Sequence, residues 1–247
     1  PYTTLFRSSR VGRNVAAGFA TNIWTAAMSI AFVPLYIQLM GIEAYGLVGV
    51  FSLLQSLFTL LDLGLTTTTN RELARLSSDP ENAAEMRTYM RTLGWVYWST
   101  AAAIALVTAF LAPALGRGWV RSEQLSGETL TRSILLIGLV MGLQWPLRLY
   151  SGGLFGLQRH TQAAAINLIA VTVRNGGVLI VLWALSNTPE AFFLWQALVA
   201  LLHTLAMASM LARSLPRSTG AARFDRAVFR RVWRFAAGVT GASVLGL

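Results

Sequence analysis

Hydrophobic and polar positions alternate along the chain in long blocks. Six apolar blocks are each long enough for a membrane-crossing helix, which needs about 20 residues. They run from about Asn14 to Met40, Leu47 to Thr66, Thr92 to Leu115, Thr131 to Phe155, Ala163 to Leu185 and Ala191 to Leu211. Another apolar run begins near Phe235 and reaches Leu247. The pattern predicts an all-α fold, a polytopic transmembrane helical bundle. Its expected parts are a six-helix lobe over 9–211, a basic connector over 212–234 and the start of a seventh span over 235–247. Residues 1–8, PYTTLFRS, read as a translated sequencing adapter rather than as part of the fold, and the apolar end is read as the cut edge of a longer protein.

Polar residues inside the blocks are not scattered. In the first block Asn14, Gly18, Thr21, Asn22, Thr25 and Ser29 fall on one helical face. In the second, Ser52, Gln55, Thr59, Asp62 and Thr66 do the same. The fourth carries Gln144, Arg148 and Ser151 on one face, and two glycine pairs, Gly138 with Gly142 and Gly152 with Gly156, spaced for close helix approach. The fifth aligns Ala163, Asn167, Arg174 and Gly177, and the sixth holds Gln196 and His203. Between the first two blocks GIEAYG reads as a tight turn, and Pro34 is expected to loosen the last turns before it. The segment TNRELARLSSDPENAAEMRTYMR is polar and mixed in charge, with Pro80 as a breaker.

Composition sharpens this. The chain is 55% hydrophobic with a mean hydropathy of +0.56, and only 12% of it is charged, about half the share of a soluble domain. Every one of its 20 basic residues is arginine, and the net charge is +10. That charge does not indicate a nucleic-acid partner, because the arginines flank apolar blocks, where membrane orientation accounts for them. One set of ends carries most of them, through Arg13, Arg71 to Arg91, Arg159 and the 212–234 connector. The other set has Arg117, Arg121 and Arg132. The excess of basic residues on cytoplasmic loops therefore places the N-terminus in the cytoplasm. In the connector, Phe224, Val228, Val232 and Phe235 alternate helically with arginines, which reads as an amphipathic helix on the membrane surface. There is no cysteine, and the two histidines, His160 and His203, form no ligand cluster, so no metal or other cofactor is expected.

Three charged residues lie well inside the blocks: Asp62, Arg148 and Arg174. A charge at mid-membrane costs on the order of 2.5–3.5 kcal/mol on insertion scales, so such residues face a bundle interior or a wet cavity. Arg174 and Arg148 are candidates for an anion site, with Asn22, Gln144 and Asn167 as polar lining. Arginine suits phosphate because its planar fork stays charged and donates paired hydrogen bonds. The competing reading is that Asp62 pairs with one arginine to fix helix packing, and that the polar stripes bind helices to one another. Asp62 is thus either a coupling charge or a structural one. No constellation of acids or histidines points to an enzyme.

The run from Pro34-Leu35-Tyr36 through the Gly41–Gly46 turn to Asp62-Leu63-Gly64 and Arg71-Glu72 resembles the first two helices of bacterial polysaccharide-biosynthesis membrane proteins. These are the lipid-linked oligosaccharide and O-antigen flippases of the multidrug/oligosaccharidyl-lipid/polysaccharide exporter superfamily. WPLRLYSGGLFGLQRH (145–160) is similar to the family's fourth helix and its exit. The resemblance implies a two-lobed inner-membrane transporter that moves polyprenyl-diphosphate-linked glycans by alternating access, with membrane lipids and polysaccharide polymerase machinery as further partners. Segments one and two hold no arginine between Arg13 and Arg71, unlike the lipid II flippases, which favours a glycan-repeat exporter. The alternatives are a cation-coupled drug exporter of the same superfamily and a membrane-embedded glycan polymerase or ligase.

Overall fold

The computed structural model describes residues 18–19, 22–28, 30–61, 64–116, 125–216 and 224–230. Among them there are helices and turns and no strand. We number the helices α1 (Val33–Met40), α2 (Ile42–Leu61), α3 (Leu65–Leu76), α4 (Ala83–Ala114), α5 (Gly127–Gly156), α6 (His160–Ala184) and α7 (Pro189–Ser214), with a 3₁₀ turn at Pro80–Asn82. α1 is the far end of a longer apolar stretch, Asn22–Met40. With that stretch, six helical segments among the described residues are long and apolar enough to cross a membrane. The protein is an all-α bundle of membrane-spanning helices.

Local chemistry sets the element boundaries. Pro34 sits in the first turn of α1, after a one-residue interruption at Phe32 of the Asn22–Met40 stretch. The turn after it is tighter than the expected six residues. Gly41 alone makes it, at φ 86, and α2 starts at the next residue. Gly64, at φ 74, likewise opens α3 from the left-handed region. α5 and α7 begin on side-chain caps: Ser126 accepts from the Thr129 amide at 3.1 Å and Thr188 from the Ala191 amide at 3.4 Å.

The third span starts earlier than the expected Thr92. α4 begins at Ala83 and, at about 1.5 Å per residue, is about 48 Å long. That exceeds a hydrocarbon core of about 30 Å. The polar-looking EMRTYMR segment is helical because Met86, Tyr89, Met90 and Leu93 recur on one face and bury against Leu73 and Leu76 of α3. What reads as a loop is thus a helical cap at the arginine-rich end. Val228 in the connector joins this same core, and the Thr92 hydroxyl accepts from the Asp225 amide at 3.0 Å. The described part of the connector is therefore docked on α4 through Val228, while Phe224 and Phe229 stay exposed.

The packing hub is α5, not the first hairpin. Half of the apolar window of α5 and of α7 is buried, against 6% for Asn22–Met40 and 17% for Ile42–Thr59. Both predicted glycine pairs act, on different partners. A side chain at Gly138 or Gly142 would strike Thr108 or the Ala101 carbonyl of α4, whereas one at Gly152 or Gly156 would strike the Thr66 or Asn70 carbonyl of α3. The hairpin is tied on more sparsely. The Tyr36 hydroxyl donates to the Asn175 carbonyl at 3.1 Å, and Trp24 Nε1 donates to Thr172 Oγ1 at 2.9 Å. Edge-on ring contacts join Phe51 to Phe193 and Phe58 to Trp145.

Candidate functional site

α2 and α5 run in the same direction, so equal spacings on the two helices stay in register. Gln55 and Thr59 are one turn apart on α2; Gln144 and Arg148 are one turn apart on α5. Gln55 Nε2 donates to Gln144 Oε1 at 2.7 Å, and Arg148 Nη2 donates to Thr59 Oγ1 at 2.9 Å. Both pairs are separated by 89 residues, which makes them two rungs of one polar ladder.

Beside this ladder lies a cavity of about 500 Å³ lined by Gln55, Thr59, Thr66, Gln144, Arg148 and Ser151, with Phe58, Met141, Trp145 and Leu147 as its apolar wall. That volume is within the range of small-ligand pockets, about 300–1,000 Å³. Arg148 and Thr59 stand near the ends of their helices, so the cavity lies toward the arginine-rich end of the bundle.

The Arg148 guanidinium is held from two sides. The Thr59 hydroxyl donates to the main-chain carbonyl of Gln55 at 2.9 Å, which leaves a lone pair to accept from Arg148. The guanidinium carbon also sits 6.0 Å from the Trp145 ring centre, close enough for a weak cation–π attraction. Trp145 is itself fixed by Phe58 and Tyr97. Among the described residues no carboxylate lines the cavity or pairs with Arg148. Gln144 Nε2 is buried and has no acceptor. The site thus offers a fixed positive charge among neutral polar groups, which suits an anion.

The residues singled out from sequence do not all meet here. Arg148 and Gln144 do, together with Gln55, Thr59, Thr66 and Ser151 from the predicted polar stripes. Arg174 does not line this cavity. It lies on the buried face of α6, among Ala170, Val171 and Val178, and its Nε and Nη2 are sealed from solvent without acceptors. Asn167 is two turns earlier on α6 and partly buried, and Asn22 is exposed on the first span. Asp62 lies outside the described residues. Trp145 and Phe58 carried no functional signal in the sequence, since aromatic residues in an apolar block look like any other core positions.

A family model for polysaccharide biosynthesis proteins matches residues 11–247, nearly the whole chain. The chain belongs to that family. No curated protein and no solved structure matches it. For a polysaccharide biosynthesis protein built as a multi-pass membrane bundle, membership fits a role in surface polysaccharide synthesis.

Proposed function

We propose that this chain forms a lobe of a transporter that flips polyprenyl-diphosphate-linked oligosaccharide units across the bacterial inner membrane. The N-terminus and the arginine-rich end are cytoplasmic on this reading, and transport proceeds by alternating access. The Arg148 cavity then opens where a lipid-linked glycan made in the cytoplasm would enter. The observation that carries the proposal is the pre-oriented Arg148 guanidinium in a polar cavity between α2 and α5.

The chemistry follows from the geometry. One N–H of Arg148 is spent on Thr59, and the others face no acceptor among the described residues. They can donate to the oxygens of a diphosphate, whose charge the guanidinium offsets. The Ser151 hydroxyl adds a neutral donor suited to phosphate or sugar oxygens. The apolar wall of Phe58, Met141 and Leu147 suits the first isoprene units of the carrier. On this reading the role of the site is binding and passage.

The test is complementation of a strain lacking its own exporter with full-length variants, scored by surface polysaccharide per unit of folded protein. Arg148→Ala is expected to abolish export, and Arg148→Lys to keep part of it, because charge survives while the paired donor geometry does not. Wild-type export by the alanine variant would overturn the assignment. Selective loss of dye efflux instead of glycan export would favour a drug exporter.

A further inference from the structure

The charges of α4 mark where a bilayer surface would cross it. Its last charged residue is Arg91, and the stretch from Thr92 to Ala114 holds none. At about 1.5 Å per residue that stretch is about 35 Å long, enough for a hydrocarbon core of about 30 Å. Trp95 is exposed one turn inside the boundary, the depth at which tryptophan anchors a helix in the interface. Thr92 therefore stands at headgroup level, at the arginine-rich end of the bundle.

The connector is fastened at that level. Arg87 Nε donates to the Pro216 carbonyl at 2.8 Å and its Nη2 to the Leu215 carbonyl at 3.3 Å, which holds the exit from α7 against the charged part of α4. Further on, the Asp225 amide donates to Thr92 Oγ1 at 3.0 Å, and Val228 buries in the α3–α4 core. Residues 226–230 are helical, and at their start the Asp225 carboxylate accepts from the Ala227 amide at 2.7 Å. With Val228 turned inward, Arg226 and Arg230, four residues apart, share the opposite, exposed face. Phe224 and Phe229 are exposed as well, with ring centres 6.2 Å apart. The surrounding sequence, 223–234, holds five arginines and one acid.

We infer that Arg226 and Arg230, with the Phe224–Phe229 pair, form a binding surface for anionic phospholipid headgroups in the leaflet at the arginine-rich end. The two guanidinium groups donate to lipid phosphate oxygens, and the two rings sit among the glycerol and upper acyl groups. The Thr92 and Val228 contacts hold the surface at that depth. A soluble acidic partner would use the arginines and leave the phenyl rings in water, whereas a bilayer surface takes both. A zwitterionic headgroup brings no net charge for the arginines to offset, so the surface selects anionic lipid. The inference rests on the membrane spans and does not depend on what the protein transports.

The experiment uses the purified full chain in neutral detergent micelles. An environment-sensitive dye is attached through Ala227→Cys, an exposed position that becomes the single thiol of a chain without cysteine. Short-chain phosphatidylglycerol, short-chain phosphatidylcholine and glycerol 3-phosphate are titrated separately. Phosphatidylglycerol is expected to give a saturable dye response that weakens with added salt, and the other two to give none. A basic side chain near an anionic surface contributes about fivefold to affinity, so Arg226→Gln/Arg230→Gln should bind phosphatidylglycerol roughly 25-fold more weakly. Arg148→Gln should bind it as the parent does, which separates this surface from the Arg148 cavity. An equal response to phosphatidylcholine would mean apolar insertion without headgroup recognition, and a response to glycerol 3-phosphate at the same concentrations would mean a soluble-anion site; either overturns the proposal. So would unchanged affinity in the double variant, or affinity lost in Arg148→Gln. Native mass spectrometry of the unlabelled protein is the second readout. The double variant should retain fewer phosphatidylglycerol molecules at equal lipid, and equal retention would count against the surface.

Discussion

At Gly152, α5 passes the first turn of α3 so closely that an added methyl carbon would sit 2.7 Å from the Thr66 carbonyl oxygen and 3.1 Å from Thr66 Cγ2. A relaxed carbon–oxygen approach is about 3.3 Å, so Gly152→Ala must part the helices by about 0.6 Å. The obstacle is backbone and cannot rotate away. Overpacking of this kind costs about 1–3 kcal/mol, and alanine's better helix propensity offsets up to about 1 kcal/mol of it. Gly94 on α4 is the internal control, because a methyl there meets nothing within 4 Å. The chain has 8 tryptophans and no cysteine, so melting is best followed by intrinsic fluorescence in detergent rather than by thiol dyes. Gly152→Ala is expected to melt roughly 3–6 °C below wild type, with Gly94→Ala at or slightly above it. The shift should also reach function, since Thr66 and Ser151 line the cavity on either side of this contact. An unchanged Tm for Gly152→Ala, or an equal loss in Gly94→Ala, would refute the close approach of α3 and α5.

Two further substitutions separate positioning from packing. Thr59→Val removes the acceptor that orients Arg148 while keeping the side chain's volume; export should fall several-fold at near-normal thermal stability, and unchanged export would show that Arg148 needs no such anchor. Tyr36→Phe deletes the hydroxyl that donates to Asn175, at a cost of about 0.5–1.5 kcal/mol. Amide exchange should then quicken in α1 and leave α5 and α7 unchanged; uniform quickening would mean the first hairpin is more deeply integrated than its exposure indicates.

The spans were legible because a membrane imposes length and hydropathy on each helix separately. The glycine pairs were legible for a similar reason: Gly138/Gly142 and Gly152/Gly156 mark close approach whatever the partner is. Their partners were not. One pair meets α4 and the other meets α3, and α3 itself was hidden in a polar-looking stretch whose apolar residues are only one face. The early start of α4 escaped notice for the same reason, since Met86, Tyr89 and Met90 alternate with arginines and acids that dilute the average hydropathy.

The site divides the same way. Sequence alone determined that Gln55 and Thr59 share one face of α2, that Gln144 and Arg148 share one face of α5, and that Arg174 must avoid lipid. It did so because helical periodicity and the cost of a charge in hydrocarbon act within a single segment. Only the tertiary structure decided that the first two pairs form a ladder beside one cavity, and that Arg174 stands apart from it. Which faces meet depends on how α5 packs against five neighbours at once, through glycine contacts and side-chain fit. That is a property of the whole bundle, written in no single helix.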